Sequence, residues 1–167
     1  MLIHQSCYES NNYNKLVKKW YYKQIVIPDS LDVMIDGVKI STLKDYRSDE
    51  MAIISFIDAD CHSCIEKLDK WEKVWSDFGN AQILLFIHTH SYSTFESYAH
   101  HFNFNRPTVY DRNMTIIKDN NIADLNARTM LIDKNDKVLL IGNPTSSSEL
   151  KDLYVSIIHK KNLAYTK

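Results

Sequence analysis

The sequence predicts an α/β fold: a central mixed sheet with helices on both faces, an extra N-terminal β-hairpin and a short N-terminal helix. Three observations carry that expectation. Two uncharged apolar runs, Met51–Ile57 and Ala81–Ile87, are the length of strands and lack the polar alternation of a half-exposed sheet, so they read as strands buried on both faces. The segments after them switch to a three- and four-residue period. Ile65, Leu68, Trp71 and Trp75 mark one helix; Phe95, Tyr98, Ala99 and Phe102 mark the next. A strand–helix–strand alternation of this kind demands a parallel pairing, with the crossover helices packed on the sheet.

The remaining elements follow in order. Tyr8 to Tyr22, with Leu16, Val17 and Trp20 at helical spacing, reads as the short N-terminal helix. Gln24–Ile27 and Leu31–Ile35 read as strands. Asp36-Gly37 is a two-residue hairpin signal leading into a returning strand, Val38–Leu43, and the charged stretch Asp45–Glu50 is a surface connection. Phe78-Gly79-Asn80 ends the first crossover helix. Ser91 or Ser93 caps the second. Pro107–Asp111 is a short strand and Met114–Asn120 a short helix. Thr129–Asp133 and Val138–Gly142 form a second hairpin around Lys134–Lys137, and Ser146–Ser148 caps a last helix bearing Leu150, Leu153, Tyr154, Ile157 and Ile158.

Bulk properties narrow the functional classes. The chain has 167 residues, enough for one domain, which we divide into a tail with a short helix (1–23) and the main domain (24–167). With 20 basic and 21 acidic residues, nothing points to nucleic acid or an anionic membrane surface. A composition 44% hydrophobic and 25% charged is that of a globular chain with a substantial core. No run of 18 apolar residues is present to span a bilayer.

The chemistry concentrates where the first buried strand hands over to its helix, at Cys61-His62-Ser63-Cys64. Residues three apart share a helical face. The two sulfurs can therefore come within disulfide reach, a Cα separation of roughly 4.4–6.8 Å. A helix N-terminus offers unpaired N–H groups and partial positive charge. Such settings lower a thiol pKa from about 8.5 to roughly 3.5–7.5. Cys61 is thus the expected exposed nucleophile and Cys64 the shielded resolving thiol. A CxxC alone also suits metal sites and inert structural disulfides. On a strand-to-helix switch it points to redox exchange, and no metal or other cofactor is expected.

The order of elements resembles the thioredoxin fold, and in particular the TlpA/ResA-like thiol–disulfide oxidoreductases of bacterial envelopes. Thr129-Met-Leu-Ile-Asp-Lys-Asn-Asp-Lys-Val138 is similar to their T-F-L-I-D-x-x-G-x-V hairpin, and Pro107-Thr-Val-Tyr-Asp111 to their P-V-x-x-D strand. The resemblance spans about Ile25 to Ile158. It implies an enzyme exchanging disulfides with protein thiols, regenerated by an unidentified reductant, monomeric and on the periplasmic side of a bacterial envelope; a cytoplasmic setting is the alternative. Two departures bear on the site. The family places a cis-proline just before the hairpin strand, shaping a peptide groove; here Ala127-Arg128-Thr129 stands there. A cis bond without proline costs about 2.5–4 kcal/mol, so a trans peptide is expected. The family also favours an aromatic residue before the first cysteine, where this chain has Asp60, with Asp58 close by.

Charges at the motif oppose one another. The helix N-terminus, His62 and Arg128 favour the Cys61 thiolate; Asp58, Asp60 and Glu66 disfavour it. The expected balance is a thiolate stabilised less than in a strong oxidant, hence a reducing or isomerising exchanger. A non-catalytic accessory module and a metal-binding CxxC protein are the competing classes. His88 and His90 follow the second buried strand, near the sheet end where ligand sites gather. Two cysteines plus a histidine could hold copper or zinc, but the spacing suits redox chemistry better. Trp71 and Trp75 read as core, His100-His101 as solvated. The third cysteine, Cys7, has two readings: a lipid-bearing residue in a longer precursor, giving a membrane tether, or an unpaired thiol on a frayed terminus.

Overall fold

In a computed structural model, residues 13–48 and 50–165 are described, with side chains through residue 160. Cys7 and the start of the expected N-terminal helix lie outside them. Helix α1 covers residues 13–20. A hairpin follows, β1 (Asp32–Ile35) and β2 (Val38–Thr42), then a one-turn helix α2 (Leu43–Tyr46) and β3 (Ala52–Asp58). The CxxC segment forms α3 (His62–Ile65) and α4 (Lys67–Val74), ending in a 3₁₀ turn at Trp75–Phe78. Next come β4 (Gln82–His88), α5 (Tyr92–His101), β5 (Thr108–Tyr110) and α6 (Thr115–Asp119). After a 3₁₀ turn at Leu125–Ala127, β6 (Thr129–Ile132), β7 (Val138–Ile141) and α7 (Ser148–Tyr165) complete the chain.

The strands form one mixed sheet in the order β2-β1-β5-β4-β3-β6-β7. β3 is parallel to β4, and β4 to β5, while β6 runs antiparallel to β3. Alternate residues of β3 face opposite ways. Ala52, Ile54 and Phe56 pack in one core with Leu16 and Trp20 of α1 and Ile116 of α6. Ile53 and Ile57 pack in the other with Leu68 and Trp71 of α4, Phe95 of α5, and Tyr154 and Ile158 of α7. Both faces of β3 are therefore dry, which is why its sequence shows no polar alternation.

Three details differ from the sequence reading. Gln24–Ile27 is not a strand; only Gln24 forms a bridge, to Lys137. The Asn120 side chain takes the backbone instead, its Oδ1 accepting from Val26 N–H (2.8 Å) and its amide donating to Val26 C=O (2.8 Å). Leu43 is not strand but opens α2, because Thr42 turns its hydroxyl back to cap Asp45 N–H. The CxxC helix is not continuous. It breaks at Glu66, the junction of α3 and α4, and tightens to 3₁₀ geometry before Gly79. The Asp36-Gly37 turn forms as expected, with φ of 46° and 72°, a left-handed pair that suits a two-residue hairpin.

Candidate functional site

The cysteines sit at the C-terminal end of the parallel strands. Asp58 ends β3, Ala59 N–H continues the ladder to His88 C=O (2.8 Å), and Cys61 is the N-cap residue of α3 in extended conformation (φ −102°, ψ 112°). Its carbonyl accepts from Cys64 N–H (2.9 Å) and Ile65 N–H (3.3 Å), the first turn of the helix. Among the described residues Cys61 and Cys64 are free thiols, both partly exposed.

Their surroundings push the two sulfurs apart in acidity. The Cys61 thiol is held below its ordinary pKa, first by the Ser63 hydroxyl (Sγ to Oγ 3.3 Å), then by the Cys64 thiol and the Cys64 backbone N–H; the Asp58 carboxylate opposes this. Cys64 is pushed up, chiefly by burial, next by its bond to Cys61 and by Asp58, with Lys67 pulling the other way. The outer thiol is the readier to ionise, and the inner one keeps its proton.

The other sequence-selected residues are spread around this pair. Asp60 turns away from the sulfurs: it accepts from the Thr89 hydroxyl (2.7 Å) and pairs with His90, which lowers its pKa to about 2. His62 is exposed, 3.5 Å from Glu66 and edge-on to Tyr98. Trp71 is fully buried and Trp75 partly so. His100 lies 3.7 Å from Asp36 at the surface.

On the β6 side of Cys64 lies a groove of about 500 Å³. Its apolar wall includes Phe56, Ile57, Trp71 and Leu125; Lys67, Lys70 and Arg128 supply cations, and Asp58 an anion. Ser55 and Thr129 share a buried hydroxyl hydrogen bond of 2.8 Å at its floor.

No protein-family model matches the sequence, and no curated protein matches it. Solved structures do match by shape. A provisionally assigned thiol:disulfide interchange protein DsbE from Chlorobium tepidum aligns with a TM-score of 0.61 at 14% identity, over 83% of this chain and 99% of that one. An exposed lipoprotein thioredoxin of Streptococcus pneumoniae gives 0.57 at 16%, over 77% and 98%. A secreted thiol–disulfide isomerase of Corynebacterium glutamicum gives 0.56 at 12%, over 82% and 98%. The fold is thioredoxin-like.

In this thioredoxin-like chain, no peptide bond among the described residues is cis. Arg128 and Thr129 line the groove, whereas Ala127 is fully buried in the core that also holds Phe56. The Arg128 carbonyl is engaged by Phe56 N–H (2.9 Å), and that of Thr129 by Gly142 N–H (2.8 Å). Two participants escaped the sequence reading. Ser63, inside the motif, is the first cause of the lowered Cys61 pKa; a hydroxyl two residues into a helix N-terminus was the available signal. Lys67 acts on Cys64, and its i, i+3 spacing from that cysteine is visible in the sequence.

Proposed function

We propose that the chain is a thiol–disulfide oxidoreductase that exchanges disulfides with protein thiols through Cys61 and Cys64, in the reducing or isomerising direction. The opposite acidity of the two thiols carries this reading: an outer sulfur readied as thiolate, an inner one kept protonated beside it. The Cys61 thiolate attacks one sulfur of a substrate disulfide, forming a mixed disulfide and expelling a substrate thiolate. Cys64 then gives up its proton to that thiolate and attacks Cys61 Sγ. The substrate leaves with both sulfurs reduced, and two electrons have passed to it from the Cys61–Cys64 pair, now a disulfide. A dithiol reductant restores the pair by the reverse exchange.

The groove beside Cys64 suits an apolar peptide segment, and its lysines and Arg128 favour an acidic neighbour. Client proteins keep their disulfides chiefly outside the reducing cytoplasm. The names of the shape relatives, an exposed lipoprotein and a secreted isomerase, support an extracytoplasmic setting, with Cys7 as the candidate lipid attachment point. Among the described residues no helix is long and apolar enough to cross a membrane. A second reading, an accessory module without turnover, is favoured by one observation: the Arg128 and Thr129 carbonyls on the groove wall are already used within the fold. Insulin reduction by wild type, Cys61→Ser and Cys64→Ser separates the two. The exchange reading expects turnover in wild type alone, with client proteins trapped covalently by Cys64→Ser and not by Cys61→Ser. Equal rates in all three leave the accessory module.

A further inference from the structure

Beside the sulfur pair, on the side away from the groove, a second constellation stands on the ends of the same two strands. β3 and β4 run parallel with Asp58 opposite His88, so the chain two residues further on brings Asp60 opposite His90. One ligand atom from each of Asp60, His88 and His90 falls within 4.8 Å of the others. The two imidazoles meet edge to face, their centroids 5.5 Å apart.

The hydrogen bonds fix the chemistry of each group. His88 Nδ1 lies 2.7 Å from the Arg112 carbonyl oxygen. A carbonyl only accepts, so Nδ1 carries the hydrogen and Nε2 of the neutral ring carries the lone pair. A histidine whose other nitrogen is anchored on a backbone carbonyl is the usual arrangement of a metal ligand. Asp60 is held in place: Oδ1 accepts from the Thr89 hydroxyl (2.7 Å) and His90 N–H (3.1 Å), while Oδ2 faces His90 Nδ1. The side chains of His90 and Asp60 are 79% and 37% exposed, so they can part to admit an ion without disturbing the core.

We propose that Asp60, His88 and His90 form a binding site for a divalent first-row transition cation of the zinc type. The ion takes the place of the hydrogen between His90 Nδ1 and Asp60 Oδ2, which moves to Nε2 of the neutral His90 ring, and it accepts the Nε2 lone pair of His88. Water fills its remaining positions. Two imidazoles and one carboxylate suit such a cation, whereas magnesium prefers an all-oxygen octahedron. The site uses neither cysteine and does not rest on the redox reading.

The test uses the full-length chain with all three cysteines changed to serine, so that no thiol competes, and measures Zn(II) by competition with a chromophoric chelator. One equivalent is expected to bind. His88→Ala, His90→Ala and Asp60→Asn on that background should each weaken binding at least about tenfold, with unchanged circular dichroism, and Mg(II) in excess should not displace the zinc. The Cys7→Ser chain in its Cys61–Cys64 disulfide form provides a second background and should behave alike. Unaltered affinity in any of the three variants, equal displacement by Mg(II), or no zinc bound on either background overturns the proposal.

Discussion

At the scale of single residues, Ser63 does more at the motif than its small side chain announces. Its hydroxyl is the first of the influences that lower the Cys61 pKa, ahead of the Cys64 thiol and backbone. Because the pKa is lowered, the reactive thiolate persists to a lower pH than it would in an unperturbed thiol and is lost as pH falls through the lowered value. Ser63→Ala removes that support, so the rise of Cys61 alkylation with pH should move upward and the rate at neutral pH should fall. Cys64, raised by burial, should alkylate more slowly than Cys61 throughout. Rates followed from pH 5 to 10 by mass spectrometry, with Cys64→Ser isolating Cys61, check both statements; an unmoved Cys61 profile in Ser63→Ala refutes the role given to the hydroxyl. The sequence made the sulfur pair legible because a CxxC at a strand-to-helix switch has few other uses. Ser63 and the Asp60–His90 pairing were not legible: each depends on where a side chain turns, and a run of motif residues looks the same whichever way it turns.

At the scale of elements, periodicity carried most of the architecture. Buried strands β3 and β4 showed as uncharged runs, and α5 showed by its period, with Ser91 or Ser93 as its cap; the structure uses Ser91. One departure has its cause in a side chain that claims the backbone from a distant element. Gln24–Ile27 has the residues of a strand, but Asn120 stands 94 positions away in sequence and supplies the bonds a neighbouring strand would. Closer in sequence, Asp111 holds the start of α6. Its buried carboxylate accepts Thr115 N–H (2.8 Å) and Ile116 N–H (3.1 Å) after a left-handed residue, Met114, that no side chain caps. Asp111→Ala strands one buried and one partly buried donor at that helix start, and the loss should be about 1.5–3 kcal/mol. Urea unfolding followed by circular dichroism measures it. A change under about 0.5 kcal/mol, the usual range of a surface substitution, would mean that α6 is held by Ile116 packing alone.

At the scale of the whole molecule, the sheet separates two cores, and the site sits where both end. The α4–α5–α7 face holds Trp71 and the base of the CxxC helix; the α1–α6 face holds Trp20, Leu16 and Ala127. That second face bears on the division of the chain at residue 23 read from sequence. Trp20 is 1% exposed and packs in the same cluster as Ala52, Ile54 and Phe56 of β3, and the Tyr13 hydroxyl donates to the Ile141 carbonyl at the end of β7 (2.9 Å). Removing an indole from such a place costs about 3–5 kcal/mol. In a domain of this size each kilocalorie moves the melting temperature by about 2–4 °C. Trp20→Ala should therefore lower Tm by about 10 °C, and the chain cut to residues 24–167 should lose at least as much or fail to fold. Differential scanning calorimetry of the three proteins decides it. If the truncated chain melts at the wild-type temperature, residues 1–23 are a dispensable appendage and the β3 face closes without them. If it melts with Trp20→Ala or below, the first helix is part of the wall that keeps the sheet beneath the sulfurs dry.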